Sequence, residues 1–372
     1  MMLSSLFPHR GGTLIAALPT CRRWLMQLVR MVTGAAMASL AIAAFAGGPK
    51  AYVGNFKDST VSVIDTATGA VVATVPVAAG PHGMGITPDG RRVYVGGESS
   101  TGISVIDTAN DRVVQTIEVG HTPHGLAMAP DGKTLLAGVY GDNRVAFIDV
   151  ATNAVVATVP VANPHTIAIR PDGKLAYVAS QAPGKFALVV IDLASHAVLR
   201  SLALDKAPRD PEFGYDGKAL YVTVAGLNAI EVLDPETDKT VAEVPTGVSP
   251  HVAKLYRGAA FATAVVQGPG ELQLFDPVTN KSVRSIAVGK QPHWQASVDG
   301  KTVYVTNEGS NDVSAVDLAT GQTKAIAVGT APRKIVVQPS ATGTAAAQAV
   351  ISAANLASAP AAIAVARGPS VA

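Results

Sequence analysis

Between residues 50 and 340 apolar and polar positions alternate with a period of two, in short runs cut by turn residues. The stretch 82–119 shows the unit. "HGMGIT" (82–87) reads as a strand of small residues. "PDG" (88–90) is a hairpin turn, in which Pro sets φ and Gly takes the positive-φ position. "RRVYVGG" (91–97) is a second strand, "ISVIDT" (103–108) a third and "RVVQTIEV" (112–119) a fourth. No segment in this range keeps a 3.6-residue period, so helices are not expected there.

The unit recurs. Pro81, Pro123, Pro164, Pro208, Pro250, Pro292 and Pro332 each open a copy, at spacings of 42, 41, 44, 42, 42 and 40 residues. Seven copies of about 42 residues predict an all-β, seven-bladed propeller of four-stranded blades. The first copy begins at its second strand, "KAYVGN" (50–55), and the last stops after an inner strand, "RKIVVQP" (333–339). The closing blade therefore combines three N-terminal strands with one C-terminal strand, which removes the open sheet edges.

Two stretches carry a resemblance. "VYVTNEGSNDVSAVDLATG" (303–321) and "AYVGNFKDSTVSVIDTATGAVVATVPV" (51–77) resemble the YVTN family of β-propeller repeats, with the tetrapeptide at Tyr304-Val305-Thr306-Asn307. The similarity covers about residues 50–340 and points to the exported, periplasmic bacterial members. It implies binding rather than catalysis, with single-stranded nucleic acid as one partner the family offers. The blades opening at Pro208 ("PRDPEFGYDG") and Pro250 ("PHVAKLYRGAAF") depart from the pattern: the first has two acids in its inner strand, the second no Asp-Gly turn.

The flanks read differently. Residues 1–46 hold Arg10, Arg22, Arg23 and Arg30 and no acid, followed by an Ala-rich apolar stretch ending in Ala44-Phe45-Ala46. This is expected to be an export signal, by the general route or, through "CRRWLM", the twin-arginine route. The product is then periplasmic or secreted and not an integral membrane protein. The propeller spans 47–340, and the Ala-rich 341–372 is expected to be a flexible tail. Past the leader the chain has 25 basic and 27 acidic residues, which gives no support to a basic nucleic-acid surface. The one cysteine, Cys21, lies in the leader, so disulfides and thiolate metal sites are excluded from the rest.

One position stands out. The residue after each blade-opening proline is His82, His124, His165, Arg209, His251, His293 or Arg333. Past the leader only His121 and His196 lie elsewhere. Topology places this slot at the start of every innermost strand, hence in a ring at one mouth of the central channel. The loops between second and third strands wall the same mouth. Trp294 comes directly after His293 and is a candidate for stacking a ring or base there, as is Tyr140 in a wall loop.

Three readings of the ring stay open. Clustered imidazoles suit copper or another transition metal, with His82, His124, His165, His251 and His293 as ligands. Against a single axial ion, strands about 10 Å apart give a ring radius of about 11 Å, beyond a histidine's reach of about 5 Å. Neighbouring histidines could still share an ion. Arg209 and Arg333 favour a small anionic ligand or a phosphate-bearing strand, the more so when the histidines protonate below about pH 6.5. Structural filling of the channel is the third reading. A binding or interaction propeller, its partner a small anion or a periplasmic or outer-membrane protein, comes first. The alternative is a metal-dependent enzyme of copper-oxidoreductase or lactonase/lyase type at the same site. Asp65, Asp107, Asp149, Asp192, Asp234, Asp276 and Asp317 recur once per blade at a turn and are read as turn chemistry. No nucleophile-elbow, phosphate-loop or H-E-x-x-H motif is present.

Overall fold

The computed structural model describes residues 48–340. The expected leader and tail lie outside them. Twenty-eight strands form seven four-stranded antiparallel sheets. In the His82 blade they run Pro81–Ile86, Arg92–Gly97, Gly102–Asp107 and Arg112–Glu118, within a residue of the boundaries the alternation gives. The only helical piece among the described residues is a short 3₁₀ turn, Tyr140–Asp142. The ring closes as the register requires: Pro332–Val337 pairs with Lys50–Asn55, which continues to Thr60–Asp65 and Ala70–Pro76.

Position within a blade sets burial. Second strands such as Arg92–Gly97 are buried almost throughout, and fourth strands such as Ala70–Pro76 are mostly exposed. The core lies between blades. Tyr52, Val61 and Val63 of the first blade pack on Met84, Val93, Val95 and Ile106 of the next, and Leu136 and Phe147 pack on Ile167 and Val178. Such interfaces repeated around a ring explain how 293 described residues share one closed fold without a single deep core. The recurrent aspartates are turn residues, as expected. Asp65 Oδ1, for example, accepts hydrogen bonds from the backbone N–H groups of Ala67 and Thr68.

The second-strand tyrosine stitches blade to blade. Tyr52 Oη donates to Asp111 Oδ1 at 2.7 Å, Tyr94 Oη to Asn153 Oδ1 at 2.7 Å and Tyr177 Oη to Asp238 Oδ1 at 3.1 Å, each acceptor being in the next blade's outer turn. Tyr304 closes the circle on the Thr66 carbonyl at 3.3 Å. The Tyr94→Phe variant is expected to lose about 1–2 kcal/mol, by removing one buried hydrogen bond and keeping the ring's packing. Urea denaturation checks this: the midpoint should fall with the slope unchanged.

One irregularity recurs in all seven blades and aims the slot. Where the inner strand begins, its ladder to the second strand slips by one residue, as between Pro81 and Met84, between Pro208 and Asp210, and between Pro292 and Trp294. The slot residue is left out of the pairing. A bulge of this kind bends the strand and redirects the side chain it frees.

Candidate functional site

The five slot histidines meet. Ring centroids of His165 and His124 are 4.0 Å apart, of His124 and His82 4.1 Å, and of His251 and His293 4.1 Å. His82 and His293 face edge to plane at 5.4 Å. The imidazoles thus form one continuous arc at the channel mouth. The separation expected from sheet spacing is too large, and glycine is part of the reason. A Cβ at Gly83 would lie 2.1 Å from the His124 carbonyl oxygen, and one at Gly125 would lie 2.3 Å from that of His165. Neighbouring inner strands approach there as only glycine allows.

Hydrogen bonding orients part of the arc. His124 Nδ1 is 2.9 Å from the His165 carbonyl, and His165 Nδ1 is 2.9 Å from the Arg209 carbonyl. A carbonyl only accepts, so both Nδ1 atoms carry the proton and both Nε2 atoms present a lone pair, as a metal ligand must. The Nδ1 atoms of His82, His251 and His293 are buried with no partner. Burial, then the neighbouring histidines His124 and His293, pushes His82 well below the ordinary histidine range. The same order of causes lowers His124 and His293. His165 falls to about 4, chiefly by burial, and His251 to about 3, by burial and then Arg209. The arc is therefore neutral at pH 7 and stays so well below pH 6.5. It does not gain the positive charge that free imidazoles would.

The two arginines are already engaged. Arg333 Nη1 lies 3.3 Å from Glu98 Oε2, and its Nε lies 3.2 Å from Glu308 Oε1. Its guanidinium also sits 3.5 Å from the centre of the Phe56 ring. Arg333 leaves the ring to strap together two wall loops, one on each side of its own blade. Arg209 donates to Ser249 Oγ at 2.8 Å and to Gln267 Oε1 at 3.4 Å. The carboxylates brought in by Arg333 reach the histidines: Glu98 Oε2 is 3.9 Å from His124 Nε2, and Glu308 Oε2 is 4.0 Å from His293 Nε2. Burial raises Glu98 above the usual carboxylate range, and Arg333 opposes that. Donor atoms of His82, Glu98 and His124 all lie within 4.8 Å of one another.

Two residues of the wall loop at 138–144, Tyr140 and Asp142, and the candidate Trp294 are placed differently from one another. Tyr140 stays at the mouth, its ring 6.1 Å from that of His124. Asp142 turns away, holding His121 at 3.0 Å and Arg144 at 3.3 Å. Trp294 is not at the mouth. It is 4% exposed and lines the lower half of the channel, beyond the histidine arc. Glu98 and Glu308 are visible in the sequence as wall-loop acids, but nothing in their spacing ties them to an arginine in a third blade.

The fold and the site allow relatives to be placed. The model of the YNCE-like beta-propeller family matches residues 27–133. The chain is a seven-bladed β-propeller, and the family match covers only its first third. Among curated proteins no sequence matches significantly. This seven-bladed propeller is similar in structure to hydrazine synthase of Kuenenia stuttgartiensis, at TM-score 0.67 and 23% identity, over 72% of this chain and 92% of that one. A functionally unknown protein from Desulfotomaculum acetoxidans matches at TM-score 0.68 and 15% identity, over 78% and 99% of the two chains. Apo AztD from Citrobacter koseri matches at 0.61 and 16%, over 78% and 98%. At these identities the likeness is one of fold.

Proposed function

We propose that this propeller is an exported binding protein that holds a transition-metal ion at the channel mouth, with His82, His124 and Glu98 as ligands. The convergence of their donor atoms within 4.8 Å carries the reading. Ligands about 2.0–2.1 Å from one ion stand about 3.4 Å apart, so side-chain rotations of about an ångström close the set. Two neutral imidazoles and one carboxylate suit copper or zinc better than calcium or magnesium. The His165 and Arg209 carbonyls supply the outer support that fixes the His124 and His165 tautomers. Arg333 holds Glu98 beside His124 until an ion competes for the carboxylate. The anion reading has less support, because Arg333 is neutralised by two carboxylates and the histidines are uncharged. Export rests on the leader sequence. No helix among the described residues is long and apolar enough to cross a membrane.

The test is metal analysis of untagged protein after purification and after loading with copper or zinc. About one ion per chain is expected, and the His82→Ala and His124→Ala variants should each lose affinity by about 100-fold or more, beyond what supporting residues usually cost. Glu98→Gln should lose less, since the two imidazoles remain. Substoichiometric copper, zinc, nickel and iron after loading would sink the reading.

A further inference from the structure

Below the histidine arc the channel holds a second cluster of chemistry. A cavity of about 330 Å³ is bounded by the later residues of the inner strands from all seven blades. One side is apolar, formed by Met84, Ile86, Met128 and Ile169 of three successive blades. The other side carries Glu212, Lys254, Lys334 and Trp294. Glu212 and Lys254 come from the two irregular blades, at a position where the other blades place Gly, Ala or Val; Trp294 comes from the next blade and Lys334 from the closing seam.

The charges there do not balance. Lys254 is ion-paired with Glu212. Lys334 is 9% exposed, and among the described residues its Nζ has no hydrogen-bond acceptor and no ion-pair partner. It rests on the Trp294 face at 3.7 Å, with Lys254 Nζ 5.1 Å from the same ring. An ammonium carries three donors and is costly to bury without an acceptor. Asp210 is also close enough to act on Lys334, but it is buried, its Oδ2 has no partner, and burial and then Glu212 push it well above the usual carboxylate range. Burial brings Lys334 down to about 8, which leaves it mostly charged at pH 7.

We propose that the lower channel is a second binding site, for a small monocarboxylate with an apolar body, in which Lys334 receives the carboxylate and the apolar wall receives the chain. One unpaired ammonium matches one negative charge. Glu212 beside it disfavours a second, which selects monocarboxylates over dicarboxylates and phosphate esters. The cavity is at the small end of the range for small-molecule sites, about 300–1,000 Å³. The site shares no residue with the metal site proposed above and does not depend on it.

Trp294 reports on the site. A Trp24→Phe background leaves it the only tryptophan. Titration with octanoate, monitored by Trp294 fluorescence and calorimetry, is expected to saturate. Affinity should rise about threefold to fourfold per methylene from butanoate to octanoate, as apolar burial predicts. Octan-1-ol and octanedioate should bind at least tenfold more weakly than octanoate. Lys334→Met should remove the preference for octanoate over octan-1-ol and leave metal content unchanged. Equal binding of octanoate and octan-1-ol to the unsubstituted channel overturns the proposal, whether or not the Lys334 variant folds. So does failure of octanoate to saturate in the millimolar range, or an undiminished preference in a folded Lys334→Met protein.

Discussion

Gly83→Ala is expected to lower stability by about 3 kcal/mol or more, at the upper end of what overpacking costs. The new methyl would lie 2.1 Å from the His124 carbonyl oxygen and 3.0 Å from its carbon. Both are backbone atoms of the next inner strand, so no side chain can swing aside. Two blades must separate, and they are the two that carry His82 and His124. Metal affinity should therefore fall together with stability. Gly125→Ala, at 2.3 Å from the His165 carbonyl oxygen, should behave alike. Gly184→Ala is the control. It has φ of +71° and nothing within 4 Å, so its cost is the left-handed backbone alone, about 1–2 kcal/mol. Thermal unfolding with and without metal checks this, and equal shifts for Gly83→Ala and Gly184→Ala would refute close approach as the cause.

Acid should destabilise this propeller steeply between pH 6.5 and 4. An unfolded histidine titrates near 6.5. In the fold, His165 stays neutral to about 4 and His251 to about 3, and His82, His124 and His293 are lowered as well. Within that window the unfolded chain binds protons and the native one does not, so stability falls as pH falls. Each histidine contributes up to about 1.4 kcal/mol per pH unit, and nothing above pH 7. His251→Gln should flatten the slope by about one histidine's share. Its Nδ1 makes no hydrogen bond, so none is lost on substitution. Urea midpoints at pH 7, 6, 5 and 4 measure the effect; a midpoint independent of pH across this range would show that the arc is not buried in neutral form.

The blades, the closing seam and the histidine slot are legible in the chain because each depends on local periodicity. "PDG" makes the same turn wherever it stands, with Gly90, Gly132 and Gly173 near φ of +70°. The narrowness of the mouth is not legible in this way. It depends on a one-residue slip in each ladder and on the glycines next to the slot, Gly83 and Gly125. Spacing taken from packed sheets does not hold where seven strands converge on an axis. The pairing of Glu98 and Glu308 with Arg333 joins three blades, and no sequence interval encodes it. The lower channel does leave a trace: Glu212 and Lys254 are opposite charges 42 residues apart at equivalent positions of neighbouring blades. Taken one blade at a time, they look like drift. Taken across blades, they are a contact.

The seam also sets when the fold can finish. Lys50 N–H donates to Gln338 Oε1 across 288 residues of sequence, and the inner strand beginning at Pro332 is the last of the described strands to be made. Until that strand emerges, the first sheet has three strands and an open inner edge. At about 5–20 residues per second, synthesis leaves that edge unpaired for roughly 15–60 s. Contacts of such long range also make the final closure a slow step. The ring, its imidazole arc and both ends of its channel therefore come into being together, and only once the strand beginning at Pro332 is available.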